Sequence, residues 1–206
     1  MEKKKHKSPL KIRLNKNILI SLIIIAIAIF GFSYYLSTMS FVAATVNGEK
    51  IYEKRIDTIY NSLDGSNKVD KKTILNRLIE TKLFVQYIKS KGYYISDTEF
   101  QKELSKRLSV SNTTIANLVK ELNLRGATLE DVRENMLVEL FVNNVITTEI
   151  QITEEEISKY RSSNNSALSV DKIRDMLLQE KIKETISQII QAQYKTANIT
   201  IGDRYK

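Results

Sequence analysis

The sequence has no cysteine and no tryptophan, and only one histidine and one proline. Without cysteine there is no disulfide, no thiol nucleophile, no thiolate metal site and no lipid-modified cysteine. His6 and Pro9 both lie within the first 17 residues. The rest of the chain therefore has no imidazole to act as a base or a ligand. No nucleotide-binding motif is present, so ATP is not expected to take part. These absences leave enzymatic chemistry hard to place: no catalytic residue, no metal site and no cofactor is assigned. A Ser/Lys pairing stays open, because both residues are abundant and no motif singles one out. The acidic run Glu154, Glu155, Glu156 could in principle hold a hard cation. Carboxylates in a first helical turn also complement the helix dipole and cap its amides, and that is the role expected here.

Charge of one sign is scarce where a nucleic-acid surface would need it. The chain carries a formal +8, yet residues 1–17 hold seven basic side chains against Glu2 alone. That tail accounts for +6 and leaves +2 for everything after it, so no nucleic-acid partner is expected.

One long hydrophobic run is present. Ile18 to Leu36 is 19 residues without a charged side chain, and as a helix it would span about 28 Å, near the hydrocarbon thickness of a bilayer. Tyr34 and Tyr35 stand at its far end, where aromatic rings favour the interface. Basic residues crowd its N-terminal side, and the first one after it is Lys50. The positive-inside rule then predicts a single-pass protein of the cell membrane. Residues 1–17 form a cytosolic basic tail, 18–36 a transmembrane signal-anchor, and 41–206 an extracytoplasmic domain. A cleaved signal peptide is the rival, with Val42-Ala43-Ala44 as the cut. The run is longer than a usual signal core, however, and the cut would remove the start of a strand.

After the run, the pattern predicts a mainly α domain with a small β element. "FVAATVNGEKIYEKRID" reads as a strand, an Asn-Gly turn and a helix start. Helices are expected over Tyr52–Leu63 and Lys72–Lys91, the second stopped by Gly92. Ser96 with Glu99 reads as a capping box for a helix to Leu108. A short helix carries Ile115, Leu118, Val119 and Leu122. Thr128 with Asp131 opens a long helix to about Thr148, whose apolar residues are Leu129, Val132, Met136, Leu137, Leu140, Phe141 and Val145. Thr153 with Glu156 caps "EEEISKY". "RSSNNSALS" breaks the pattern, and Ser169 caps a last helix. The chain then finishes its pattern with "ANITI", Ala197 to Ile201. A strand needs a partner for its backbone groups. "ATVNG" and "ANITI" are therefore expected to pair, so that both ends of the domain close one small sheet. Sequons stand at Asn112, Asn164 and Asn198.

Phe84, Tyr87, Phe100, Met136 and Phe141 lie on or beside the apolar helix faces. Such residues fill cores. They also line grooves for extended peptide, where Met and aromatics adapt to varied side chains. These five are the candidate peptide-binding residues.

Three stretches carry a resemblance. "ATVNGEKIYEKRID" after an export signal resembles the start of SurA-type chaperones and PrsA-type foldases. "LNRLIETKLFVQYIKSKGYYISDTEFQKEL" resembles their following long helix. "GATLEDVRENMLVELFVNNVITTEIQITEEEISKY" resembles the segment that closes their N-terminal chaperone region. The last helix with "ANITI" resembles the segment that returns to pack on it, so the resemblance covers about residues 42–201. It implies a SurA N-domain fold and chaperone activity towards unfolded or newly exported polypeptides. Family members usually insert a parvulin prolyl-isomerase domain after the "EEEISKY" helix. Here "RSSNNSALS" takes that place and parvulin histidines are missing, so isomerase activity is not implied. The expectation is a membrane-anchored chaperone that works without ATP. The alternative is an interaction subunit that binds one specific envelope or membrane partner.

Overall fold

The computed structural model describes residues 41–65, 68–163 and 168–206. The expected tail and membrane span, residues 1–36, lie outside the described residues, as does Asn164. Among the described residues no helix is long and apolar enough to cross a membrane.

Strand β1, Val42–Val46, turns through Asn47-Gly48 into β2, Glu49–Tyr52. Asn47 sits at φ 49° and Gly48 at φ 88°. Two consecutive left-handed residues make the type I′ turn, whose twist matches that of the flanking strands. Strand β3, Ile199–Ile201, runs antiparallel along the other edge of β1, so the order is β2-β1-β3. Ala44 stands opposite Ile201, Thr45 opposite Thr200 and Val46 opposite Ile199. The two ends of the domain meet in one sheet, as the pattern predicts. Beyond β3 the chain adds a 3₁₀ turn, Asp203–Tyr205, that tucks Tyr205 into the core.

The helices follow in chain order: α1 Glu53–Ser62, α2 Lys71–Ser90, α3 Asp97–Val110, α4 Ile115–Leu124 and α5 Leu129–Phe141. After a π-helical stretch come α6 Glu154–Ser163 and α7 Val170–Thr196. Their starts are chemically marked. Ser96 with Glu99 and Thr128 with Asp131 form complete capping boxes. The Thr153 hydroxyl accepts from Glu156 N–H at 3.2 Å, while the Glu156 carboxylate accepts from Thr153 N–H at 2.9 Å. Asp70 and Ser169 cap α2 and α7. Each cap satisfies amides that would otherwise have no partner, and is worth about 1 kcal/mol.

Helix α2 is the centre of the domain. Its Ile74, Leu75, Ile79 and Leu83 pack under the sheet with Ala43, Ala44 and Val46. One turn on, its Phe84 and Ile88 join Leu137, Phe141 and Ile146 from the α5 segment and Ile182 from α7 in a second core. Burying each such side chain is worth about 1.5–3 kcal/mol, so a helix buried on two sides organises both cores. A third cluster, Phe100, Leu104 and Met136, joins α3 to α5.

The segment after Phe141 departs from the expected regular helix. Val142–Ile146 is a π-helical stretch, followed by one α turn at Thr147–Glu149. Regular spacing from Leu137 and Phe141 would next bury Val145. Instead Ile146 is buried and Val145 only half-buried. A π turn carries one extra residue, so the stripe continues at i+5 rather than i+4.

Candidate functional site

Two clefts open between α3, α4 and α5. The first, about 620 Å³, is lined by Leu104, Leu108, Leu118, Val132 and Met136, with Ser111, Asn112, Thr113 and Asn135 at its polar side. The second, about 390 Å³, is lined by Tyr94, Ile95, Met136 and Leu140, with Glu99, Lys102, Glu103 and Glu139 around it. Met136 and Arg107 line both clefts. The clefts therefore adjoin, with buried Met136 between them. Arg107 straps them: its guanidinium donates to Glu103 at 3.0 Å on α3 and to Glu139 at 2.9 Å on α5.

Local sequence explains these clefts. Phe100, Leu104 and Leu108 recur every four residues on α3, and Val132 and Met136 do so on α5, so one stripe of each helix faces the other. The facing stripes meet at the third cluster but are not covered beyond it. Asn112 at φ 48° ends α3, and Thr113 N–H reaches back to Leu108 C=O at 3.0 Å. That left-handed stop turns the chain into α4 and forms the first cleft's end wall. Gly126, at φ 66°, ends α4 against α1; a Cβ there would lie 2.9 Å from Thr58 Cβ. At the second cleft's mouth Tyr94 is 77 % and Leu140 49 % exposed.

The five candidate residues take different places. Phe84, Phe100, Met136 and Phe141 are buried, and Tyr87 is half-buried. Phe84, Tyr87 and Phe141 stack and meet edge-on at centroid distances of 6.1 to 6.5 Å, in the second core. Phe100 belongs to the third cluster and lies under the Arg133 guanidinium, 4.6 Å from its ring centroid. Of the five, Met136 lines both clefts. Tyr94 and Arg107 were not singled out by the sequence pattern; Leu118 and Leu140 were read as apolar helix positions but not as lining a cleft. Leu140 could have been found by its angle: it stands three residues after Leu137 and one before Phe141, at the edge of the buried stripe.

A polar network ties α5 to the sheet. Glu134, buried on α5, accepts from Lys82 at 3.2 and 3.3 Å and from Lys89 at 3.3 Å. Lys82 also pairs with Glu49 at 3.0 Å. Gln86 donates to Val46 C=O at 3.2 Å and to Glu49 at 2.8 Å, and accepts from Asn47 at 2.8 Å. Burial works against the charge on Glu49, but the Gln86 hydrogen bond and the Lys82 ammonium outweigh it and hold the carboxyl below its ordinary range. Burial likewise works against charge on Lys82, and its partners Glu49 and Glu134 outweigh that, holding the ammonium above its ordinary range. The floor helix α5 is therefore fixed by charge pairs as well as by packing.

Two members of the acidic run are paired. Glu154 accepts from Arg174 at 2.7 Å, and Glu156 pairs with Lys181 at 2.6 Å. Among the described residues no group of three or more metal-ligating side chains comes together.

Comparison with known proteins places this architecture. The chain is similar to the foldase protein PrsA of Caldanaerobacter subterraneus subsp. tengcongensis, 27% identical over 169 residues, which cover 71% of this chain and 51% of that protein. It thus spans about half the length of that relative. No parvulin prolyl-isomerase domain is found in the chain, and only residues 164–169 stand between α6 and α7. Residues 10–141 match the SurA-like N-terminal domain, and the chain belongs to that family.

Proposed function

We propose that this protein is a membrane-tethered, ATP-independent chaperone that acts outside the cytosol on exposed apolar segments of unfolded or newly translocated polypeptides. The observation that carries this reading is the pair of adjoining clefts along α3, α4 and α5, which meet at Met136 and the Arg107 strap. They have an apolar floor of Leu104, Val132 and Met136, mixed polar walls, and Tyr94 and Leu140 at an open mouth. Such clefts suit many apolar sequences rather than one. A Met floor adapts to differing side chains, and polar walls satisfy an extended backbone. Family membership supports the same reading, as does the name of the PrsA relative as a foldase. The tether and its direction rest on the basic tail and the uncharged run at 18–36.

The test uses the full chain in nanodiscs. It should suppress aggregation of several unrelated unfolded clients and should not accelerate a proline-limited refolding step. Tyr94→Ser together with Leu140→Ser should weaken that suppression while the helical circular dichroism stays unchanged, because both side chains are exposed. Protection of one protein alone, unaffected by this pair, would favour an interaction subunit. Protease added outside spheroplasts should digest residues after 40 and spare an N-terminal fragment; full protection would refute the orientation.

A further inference from the structure

Three exposed apolar side chains gather at the end of the sheet where β1 begins. Phe41, Val42 and Tyr52 are 51, 38 and 42 % exposed. Val42 and Tyr52 are cross-strand partners, so they stand side by side on the hairpin. The Phe41 carbonyl accepts from Glu53 N–H at 2.8 Å, which holds this residue beside the start of α1. The Arg204 guanidinium lies over the Phe41 ring, 5.0 Å from its centroid, and pairs with Glu53 at 2.8 Å. Among the described residues none of the three apolar side chains joins a core cluster.

We propose that this patch rests in the interfacial layer of the lipid bilayer, as a second membrane contact beside the anchor. The proposal depends on the tether proposed above and adds the face on which the domain sits. The chain preceding the patch carries the argument. Leu36 ends the uncharged run, and five residue steps separate it from Phe41. Fully extended, those steps reach at most about 18 Å. Phe41 is therefore held close to whatever surface the run enters. The side chains fit that surface. Aromatic rings with a polar end prefer the headgroup level, and an arginine can lay its stem on apolar surface while its charge meets phosphate.

This contact would also orient the clefts. Ala43, next to the patch, accepts from Gly202 N–H at 2.8 Å, and the turn that follows brings Tyr205 close enough to feel the charge of Lys71 at the start of α2, whereas Asn47 at the other end of β1 bonds Gln86 near the end of α2. Helix α2 therefore leads away from the patch. From Ile74 to Ser90 it advances about 24 Å, and Tyr94 lies beyond its end. The second cleft's mouth is held off the bilayer, open to a client.

Because the chain has no tryptophan, single replacements report position without background. Phe41→Trp, Tyr52→Trp, Tyr94→Trp and Ile25→Trp are made in the full chain and reconstituted into phosphatidylcholine vesicles containing lipid brominated either near the headgroup or deep in the acyl chain. Phe41→Trp and Tyr52→Trp should emit at shorter wavelength with vesicles and be quenched by the shallow bromine. Tyr94→Trp should be quenched by neither. Ile25→Trp should be quenched by the deep bromine, and its failure would refute the tether by itself. Unquenched emission at both 41 and 52, with Ile25→Trp quenched, would overturn the patch and leave the tether standing. Quenching at 94 as strong as at 41 would overturn the orientation.

Discussion

Asn47 joins three elements through one side chain. Its carbonyl oxygen accepts from Asn198 N–H at 2.8 Å, its amide donates to Gln86 at 2.8 Å, and its backbone N–H donates to Asn198 C=O at 2.9 Å. It does so at φ 49°, a conformation asparagine tolerates better than alanine does. Asn47→Gly keeps the turn and loses the side-chain bonds, so it should cost about 1–2 kcal/mol. Asn47→Ala adds the left-handed penalty and should cost about 1 kcal/mol more. Urea unfolding of the two variants separates these contributions; equal losses would mean that turn strain is negligible. Nearby, Glu49 and Lys82 set opposite limbs of the pH profile. The folded carboxyl of Glu49 lies below its ordinary 4.5, so its contribution is present above that value and lost as pH falls through the lowered one. The folded ammonium of Lys82 lies above its ordinary 10.5, so its contribution is full below that value and lost as pH rises through the raised one. Tyr205, raised by burial, acts on the same alkaline side. Glu49→Gln should therefore flatten part of the acid limb of urea midpoint against pH and weaken the alkaline limb, where Glu134 still holds the Lys82 ammonium; Lys82→Met should flatten the alkaline limb and weaken the acid limb, where Gln86 still holds the Glu49 carboxylate. The network was not legible in the sequence. Residues 47, 82, 86 and 134 meet only after the hairpin and α5 have both docked on α2. The clefts were half legible for a similar reason. Periodicity marks Met136 as inward-facing, but it does not show that α7 packs over Phe84 and Phe141 while Tyr94 and Leu140 stay exposed among the described residues.

The π stretch at Val142–Ile146 behaves as an α-helix with one residue too many. Asn143 and Asn144 are its exposed members. Deleting Asn144 would bring Ile146 to i+4 from Phe141 and keep it on the stripe of Leu137 and Phe141. The variant should melt at the same temperature as the parent or higher. Deleting the equally exposed Asn135 instead rotates everything after it by about 100° and removes Met136, Leu137 and Phe141 from their sites, at several times the 2–5 kcal/mol of one large-to-small core change. Equal effects in a thermal melt would mean that the π stretch is not an insertion. At the sheet, truncation after Thr196 removes β3, the Gly202 N–H to Ala43 C=O bond of 2.8 Å and buried Tyr205. Each buried backbone group left unpaired costs about 1–3 kcal/mol, so the cooperative transition should be lost rather than shifted. A truncated chain with an unchanged melting temperature would refute the dependence of β1 on its second partner. Most of the element order was legible because caps and stops are local chemistry. Ser96, Thr128, Thr153 and Ser169 each announce a helix within four residues, and Asn47-Gly48 announces a hairpin. The closure of the sheet was legible by accounting, since one hairpin leaves an edge of β1 that only "ANITI" could fill. The π stretch was not, because a 3.6-residue period assigns Val145 the place that Ile146 takes.

Across the molecule, the excess of positive charge lies in the tail, while the proposed client surface carries charges of both signs on its walls, Lys102 and Arg107 beside Glu99, Glu103, Glu121 and Glu139. Of the formal +8, the tail holds +6 and the described domain only +2. The floor of the clefts is apolar, and their most prominent charged feature is the Arg107 strap, whose side chain is 44 % exposed and whose partner Glu139 is 50 % exposed. Ion pairs this exposed contribute little and are screened by salt, whereas burial of apolar surface is not weakened by it. Raising sodium chloride from about 50 to about 500 mM, where the screening length falls from above 10 Å to below 5 Å, should change client affinity less than about threefold. The change should be towards tighter binding, because a loosened strap lets the two clefts accept one longer segment across the Met136 floor. Arg107→Met removes the strap, so this variant should bind apolar peptide more tightly at low salt and show no further gain at high salt. The buried Lys82–Glu134 pair should keep the floor helix in place throughout, because pairs out of solvent are screened much less. Fluorescence anisotropy of a labelled apolar peptide, run with parent and variant at both salt levels, measures all four affinities. A tenfold or larger loss of affinity in high salt would show that clients are held by charge, and the interaction-subunit alternative would then describe the surface better.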